Sequence, residues 1–256
     1  MEKSNDTPAS IEQMQAVTIS REYGSGGGEI AARLARVLGW KLFDHEAVVQ
    51  VAQELGVSVD EAAVHDEQAA SLGMQLLKGL SFLQPPMGDA MQISAAAYDL
   101  AYHETMHRVI EAALAAGHVV IVGRGSQMLL KERRDILHVR IVAPLEYRIA
   151  YVMQREGLSL QHAQSRIHYK DSGRARYLQR HYHQNPTDPL LYDLVINTAI
   201  LSLDNAVQLI RTALEMKAGR LNLPPSALGP GAGLPLYPEH TEDFGVLSDG
   251  TLPEAK

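Results

Sequence analysis

The run Gly24-Ser25-Gly26-Gly27-Gly28 constrains this chain more than any other stretch. Glycine adopts positive φ angles at no steric cost and lets a ligand approach main-chain N–H groups that a Cβ would cover. Just before the run, Ala16-Val17-Thr18-Ile19-Ser20 is short and β-branched and reads as a strand. After it, Ile30, Leu34, Val37 and Leu38 recur at helical spacing, and Gly39 stands where a helix C-cap falls. In a strand–glycine loop–helix unit, loop amides and the helix N-terminus can wrap a polyphosphate. A bare flexible turn is the plainer alternative.

The loop departs from the pattern G-x-x-x-x-G-K-[ST]. Aligned on Gly26, it has Arg21 at the first glycine, Gly27 at the lysine and Gly28 at the hydroxyl residue. The lysine supplies a cation to the β- and γ-phosphates, and the hydroxyl is a Mg²⁺ ligand. A phosphate site built on this loop needs positive charge from elsewhere, and Arg21 is the candidate.

Further strands are expected at Trp40 to Phe43, His118 to Val122, Ile136 to Val142 and Tyr192 to Asn197. Helical patterns occupy Glu46 to Leu55, Val59 to Leu80, Ile93 to Ala116, a segment from Pro144 to about Glu156, Gln161 to His183, and Leu203 to Met216. Strands alternating with helices imply a parallel sheet covered on both faces. The prolines from Pro224 to Pro253, with glycines between them, leave no periodic apolar face, and this stretch reads as a disordered tail.

Composition narrows the class. The 256 residues carry a net charge of −7, which argues against a general nucleic-acid coat protein. The absence of cysteine excludes disulfides and thiolate metal sites and fits a reducing compartment. The polar N-terminal residues lack a secretory apolar stretch, and no segment reaches the roughly 20 apolar residues of a membrane helix. A cytoplasmic protein without nucleic-acid or membrane partners is expected; nothing in the sequence sets its oligomeric state.

Four segments in consistent order carry a family resemblance: Ile19-Ser20-Arg21-Glu22-Tyr23-Gly24-Ser25-Gly26-Gly27, Val120-Ile121-Val122-Gly123-Arg124-Gly125-Ser126, Lys170-Asp171-Ser172-Gly173-Arg174, and Tyr192 to Thr198. Over roughly residues 16 to 212 the chain resembles the cytidylate kinase-like family, relatives of the nucleoside monophosphate kinases. The resemblance implies a P-loop NTPase-type α/β fold: a five-stranded parallel sheet with helices on both faces, a helical monophosphate-binding insertion and a mobile lid. It also implies ATP, Mg²⁺ and phosphoryl transfer to a nucleotide such as CMP. Authentic cytidylate kinases carry a loop lysine where this chain has Gly27, and Gly-Arg-Asp where it has Gly123-Arg124-Gly125.

The remaining candidates follow from position. Arg124 ends a buried strand, where it can fork onto a phosphate or pair with a carboxylate to hold the loop. Asp44 matches in position the family's aspartate; it can accept from a base or sugar, orient Mg²⁺ through water, or cap the helix beginning near Glu46. Lys170 and Arg174 share a helix face, while Arg176 points elsewhere. In a lid, the first two would close on the triphosphate. The string His103-Glu104-Thr105-Met106-His107 formally matches the H-E-x-x-H zinc-protease signature, without a framed third ligand.

The sequence therefore predicts a disordered N-terminus at 1–15, a kinase-like domain at 16–218 with an insertion at about 45–116 and a lid at about 157–185, and a disordered tail at 219–256. The expected activity is transfer of the ATP γ-phosphoryl group to CMP or dCMP. Gly24, Ser25, Gly26, Gly27 and Gly28 bind the triphosphate, Arg21, Arg124, Lys170 and Arg174 act in catalysis, Asp44 and Arg124 bind substrate, and no protein-held metal centre is expected. The alternatives are a non-catalytic nucleotide sensor and, more remotely, a zinc metalloprotease.

Overall fold

The computed structural model describes residues 11–44, 104, 107, 108, 110–230 and 232. The chain divides into two compact units, Met1–Leu221 and Asn222–Lys256. The first holds five strands, β1 (Ala16–Arg21), β2 (Lys41–Phe43), β3 (Val119–Val122), β4 (Ile136–Val142) and β5 (Leu194–Asn197). Its numbered helices are α1 (Gly27–Leu38), α2 (Ser126–Leu129), α3 (Leu145–Glu156), α4 (Leu160–Tyr182) and α5 (Leu203–Ala218). Residues 110–115 are also helical.

All strands are parallel, in the order β2-β3-β1-β4-β5. β1 is central, pairing with β3 from Ala16 to Ile19 and with β4 from Ala16 to Arg21. The chain runs from β1 to one edge and later crosses to the other side, so the crevice of this open sheet lies beyond the C-terminal end of β1.

Alternation along the strands divides the core. Val17, Ile19, Val120, Val122, Leu137, Val139 and Ile141 face one way and pack with Ile30 and Leu34 of α1 and Val207, Ile210 and Leu214 of α5. Ala16, Val119, Ile121 and Ile136 face the other way and meet Phe43, Ile110, Ala113, Leu114 and Leu130. Burial on both faces explains the apolar strand runs. A third cluster joins Ile149 and Val152 of α3 to Ala163 and Ile167 of α4.

The second face also carries a buried polar ladder. Thr18 Oγ1 lies 2.7 Å from His138 Nδ1, and Arg140 Nη1 donates to Ser20 Oγ at 3.1 Å and Tyr192 Oη at 3.4 Å. Asp193 accepts from His138 N at 2.8 Å and Lys217 Nζ at 2.6 Å.

Several boundaries differ from the sequence reading. Order begins before residue 16: Ile11–Gln13 forms a 3-10 turn and Met14 is fully buried, because it packs into the first core. At the other end Leu221 also packs on that core, beyond the expected limit at 218. His118 takes a left-handed φ of 49° and stacks on Trp40, so β3 starts one residue later. Tyr192 N is engaged by Pro189 O at 3.1 Å, and β5 starts after it. The stretch expected as a lid is one continuous helix, α4, held against α3 by the third cluster. Most of the expected insertion at 45–116, residues 1–10 and most of the tail lie outside the described residues. The described part of the second unit contains a 3-10 turn, Pro225–Ala227. No helix among the described residues is long and apolar enough to cross a membrane.

Burial drives the His138 imidazole down to about 4, with the positive charge of Lys217 adding to the effect against the pull of Asp193. Because the folded value lies below that of the unfolded chain, this group's contribution is complete above about pH 6.5 and is lost as the pH falls toward 4. The expected loss across that window is about 3 kcal/mol. Urea unfolding of wild type and His138→Gln at pH 7 and pH 4.5 checks it: the variant's stability falls less over this interval.

Candidate active site

β1 delivers Arg21 to the mouth of the sheet, and the chain then turns through residues 22–26 into α1. Gly24 and Gly26 have φ of 83° and 79°. A Cβ at Gly24 would stand 2.8 Å from Arg148 O, and one at Gly26 would stand 2.6 Å from Leu203 Cδ2. The turn therefore sits directly against α3 and the start of α5. Gly26 caps α1 without a side-chain hydrogen bond, so no cap side chain occupies the amides of its first turn.

Loop side chains pin the turn from within. Ser25 Oγ donates to Glu22 O at 2.9 Å and Ile141 O at 3.2 Å, which gives this hydroxyl a structural duty. Thr198 Oγ1 donates to Ser25 O at 3.0 Å. The Glu22 carboxylate accepts from Ala143 N at 3.1 Å and lies 3.6 Å from Arg148 Nε. An open cleft of about 350 Å³ borders the turn, with Gly27 and Gly28 on one side and Tyr151 and Arg155 of α3 on the other.

Three arginines named from the sequence act on one another here. The Arg21 side chain crosses Gly27: a Cβ at Gly27 would meet Arg21 Cβ at 2.8 Å and Cδ at 3.0 Å. Its Nη1 reaches to 3.8 Å from the Cβ position of Gly123. Gly123, Arg124 and Gly125 take successive left-handed φ angles of 75°, 62° and 65°. For Arg124 that conformation costs about 1–2 kcal/mol and aims a cation beside the end of β3. Burial, then the charges of Arg174 and Arg124, push the Arg21 guanidinium down to about 9, against the opposing pull of Asp44. Arg21 stays protonated at neutral pH, and among the described residues its side chain donates no hydrogen bond. This concentration of positive charge is complementary to an anion.

Lys170 Nζ lies 5.7 Å from the ring centroid of Tyr169. Arg176 is exposed. Asp44 follows β2 and its field reaches Arg21. Of the H-E-x-x-H string, His103 lies outside the described residues.

The sequence reading missed the groups that support these arginines. Asp171 Oδ1 accepts from Tyr23 N at 2.8 Å and Arg174 Nη1 at 3.2 Å, and Oδ2 accepts from Arg148 Nη1 at 2.6 Å. The one sequence signal for Asp171 is its place inside the Lys170–Arg174 segment; Arg148 has none. Gly125 also gains a reason. A Cβ there would stand 2.9 Å from Tyr182 Cε2 and 3.1 Å from Tyr177 Cε1, so the end of α4 rests on bare backbone.

The tight approach at Gly24 gives a direct test. Gly24→Ala forces a Cβ against backbone in a left-handed conformation and is expected to destabilise by about 2–5 kcal/mol. Chemical denaturation reads the effect. A loss below 0.5 kcal/mol, the ordinary range of a surface change, would contradict the packing described.

Residues 16–200 match the cytidylate kinase-like family. The cytidylate kinase of Methanopyrus kandleri is 27% identical over 201 residues, covering 78% of this chain and 92% of that enzyme. That of Thermococcus sibiricus is 27% identical over 201 residues, covering 78% and 87%. The crystal structure of an uncharacterized protein from Eubacterium ventriosum superimposes with a TM-score of 0.55 at 19% identity, covering 78% of this chain and 98% of that one, a likeness of fold. With a glycine turn and three arginines at the mouth of a parallel P-loop-type sheet, the chain belongs to the cytidylate kinase-like family.

Proposed function

We propose that the chain transfers the γ-phosphoryl group of ATP to a nucleoside monophosphate, with CMP or dCMP as the default acceptor. The observation that carries this reading is Arg21, a cation without a hydrogen-bonding partner among the described residues, lying over Gly27 and reaching toward Gly123. In this reading Arg21 takes over the charge of the lysine that Gly27 lacks. The main-chain amides of Gly24 to Gly28 hold the triphosphate. Arg21 and Arg124 neutralise it, and Lys170 and Arg174 cover it.

An oxygen of the acceptor's phosphate attacks the γ-phosphorus, the bond to the β–γ bridging oxygen breaks, and ADP leaves with that electron pair. Such transfer needs positioning and charge stabilisation more than covalent chemistry. Asp44 binds the acceptor or orients Mg²⁺. The donor set suits a polyphosphate well and a bare cation poorly: Gly28 offers no hydroxyl, and no group of three or more metal-ligating side chains occurs among the described residues. Mg²⁺ would therefore ride on phosphate oxygens and water with Asp44 nearby, a mode usual for this ion. Its chemistry there is to screen phosphate charge.

The same bare positions at 27 and 28 favour one alternative, a sensor that binds nucleotide without transfer. Calorimetric titration with ATP beside a coupled assay over CMP, dCMP, UMP and AMP separates the two. Turnover with CMP or dCMP well above the others is expected; binding without turnover on any acceptor identifies the sensor. Arg21→Ala is expected to weaken ATP binding about 100-fold, the scale of lost charge-assisted hydrogen bonds. Wild-type affinity in that variant would remove Arg21 from the site.

A further inference from the structure

Asp171 joins three elements that the chain brings together from far apart. Its carboxylate takes the amide of Tyr23 in the loop after β1, a guanidinium N–H of Arg148 in α3, and one of Arg174 a turn along its own helix. Arg148 Nη1 also donates to Tyr23 O at 3.3 Å, so both polar backbone atoms of Tyr23 are held through this group. Arg174 Nη1 in turn donates to Arg21 O at 3.3 Å, and its guanidinium lies 5.6 Å from the Tyr23 ring centroid.

Without a counter-charge, Arg174 would be driven away from this place. It is partly buried, it faces the charges of Arg21 and Arg124, and desolvation lowers its pKa; Asp171 is the leading charge that opposes the shift. An arginine side chain also has many rotamers, and a fixed carboxylate three residues away selects among them.

We propose that Asp171 is a positioning residue: it clips α4 to the phosphate loop and aims Arg174 at the loop before any nucleotide binds. On this view Arg174 belongs to a preformed anion site instead of arriving with a swinging lid. The clip itself stands on the geometry alone; its value for phosphate binding rests on the kinase reading above.

Inorganic tripolyphosphate, titrated calorimetrically into the full chain, is the binding probe. Asp171→Asn is expected to bind it about tenfold more weakly, the effect of one mis-set charge-assisted contact. Arg174→Ala is expected to lose a similar amount. The double variant should bind no more weakly than Arg174→Ala alone, because Asp171 acts through Arg174. Removing a negative charge from an anion site without any positioning effect predicts the reverse, so tighter binding in Asp171→Asn, or additive losses in the double variant, overturns the proposal.

Amide exchange in the ligand-free protein reads the clip directly. The Tyr23 amide should exchange at least tenfold faster in Asp171→Asn, with the amides of α1 and the central strands unchanged; an unchanged Tyr23 amide overturns the proposal. If wild type binds no tripolyphosphate while Asp171→Asn still releases the Tyr23 amide, the kinase reading fails and the clip is supported. Should Asp171→Asn not fold, Asp171→Glu, with its displaced carboxylate, takes its place in the same cycle.

Discussion

Like charges crowd the mouth of this sheet, and the rest of the site is arranged to tolerate them. Arg21 feels Arg124 and Arg174 at the end of the central strand. Burying a cation is costly unless it is paired. Two carboxylates hold the surroundings: Glu22 takes the Ala143 amide and lies beside Arg148, and Asp171 pairs with Arg148 and with Arg174 itself. The carboxylates thereby fix the frame beside the loop, and Asp171 offsets the charge of Arg174. A site whose charges are set before the ligand arrives has little reorganisation left to do.

Close approach is the second organising constraint. Gly24 admits the backbone of α3, Gly27 admits the Arg21 side chain, and Gly125 admits two tyrosines of α4. The space beside the last two is filled, by Arg21 in one case and by Tyr177 and Tyr182 in the other, so a larger residue at either position would displace a neighbour.

The second face of the sheet serves the same end. A parallel sheet covered by helices is normally apolar on both sides, yet β1 and β4 place Thr18, Ser20, His138 and Arg140 together beneath Tyr192 and Asp193. The ladder climbs toward the loop, where Arg140 lies 4.0 Å from Glu22. Hydrogen bonding along it ties Tyr192, in the segment before β5, to Ser20 on the strand that carries Arg21.

Local chemistry alone was enough for the strand–loop–helix unit. β-Branched residues before a glycine run and a helical period after it depend only on near neighbours in the chain. The same holds for the five strands and the long helix after Ser159. Strand order, the pairing of Thr18 with His138, the joining of Tyr23 to Asp171 across 148 positions and the seating of Tyr182 on Gly125 were decided by tertiary structure. Periodicity records which side of an element is buried but not what it is buried against, so only packing could reveal the partners that hold the arginines in place.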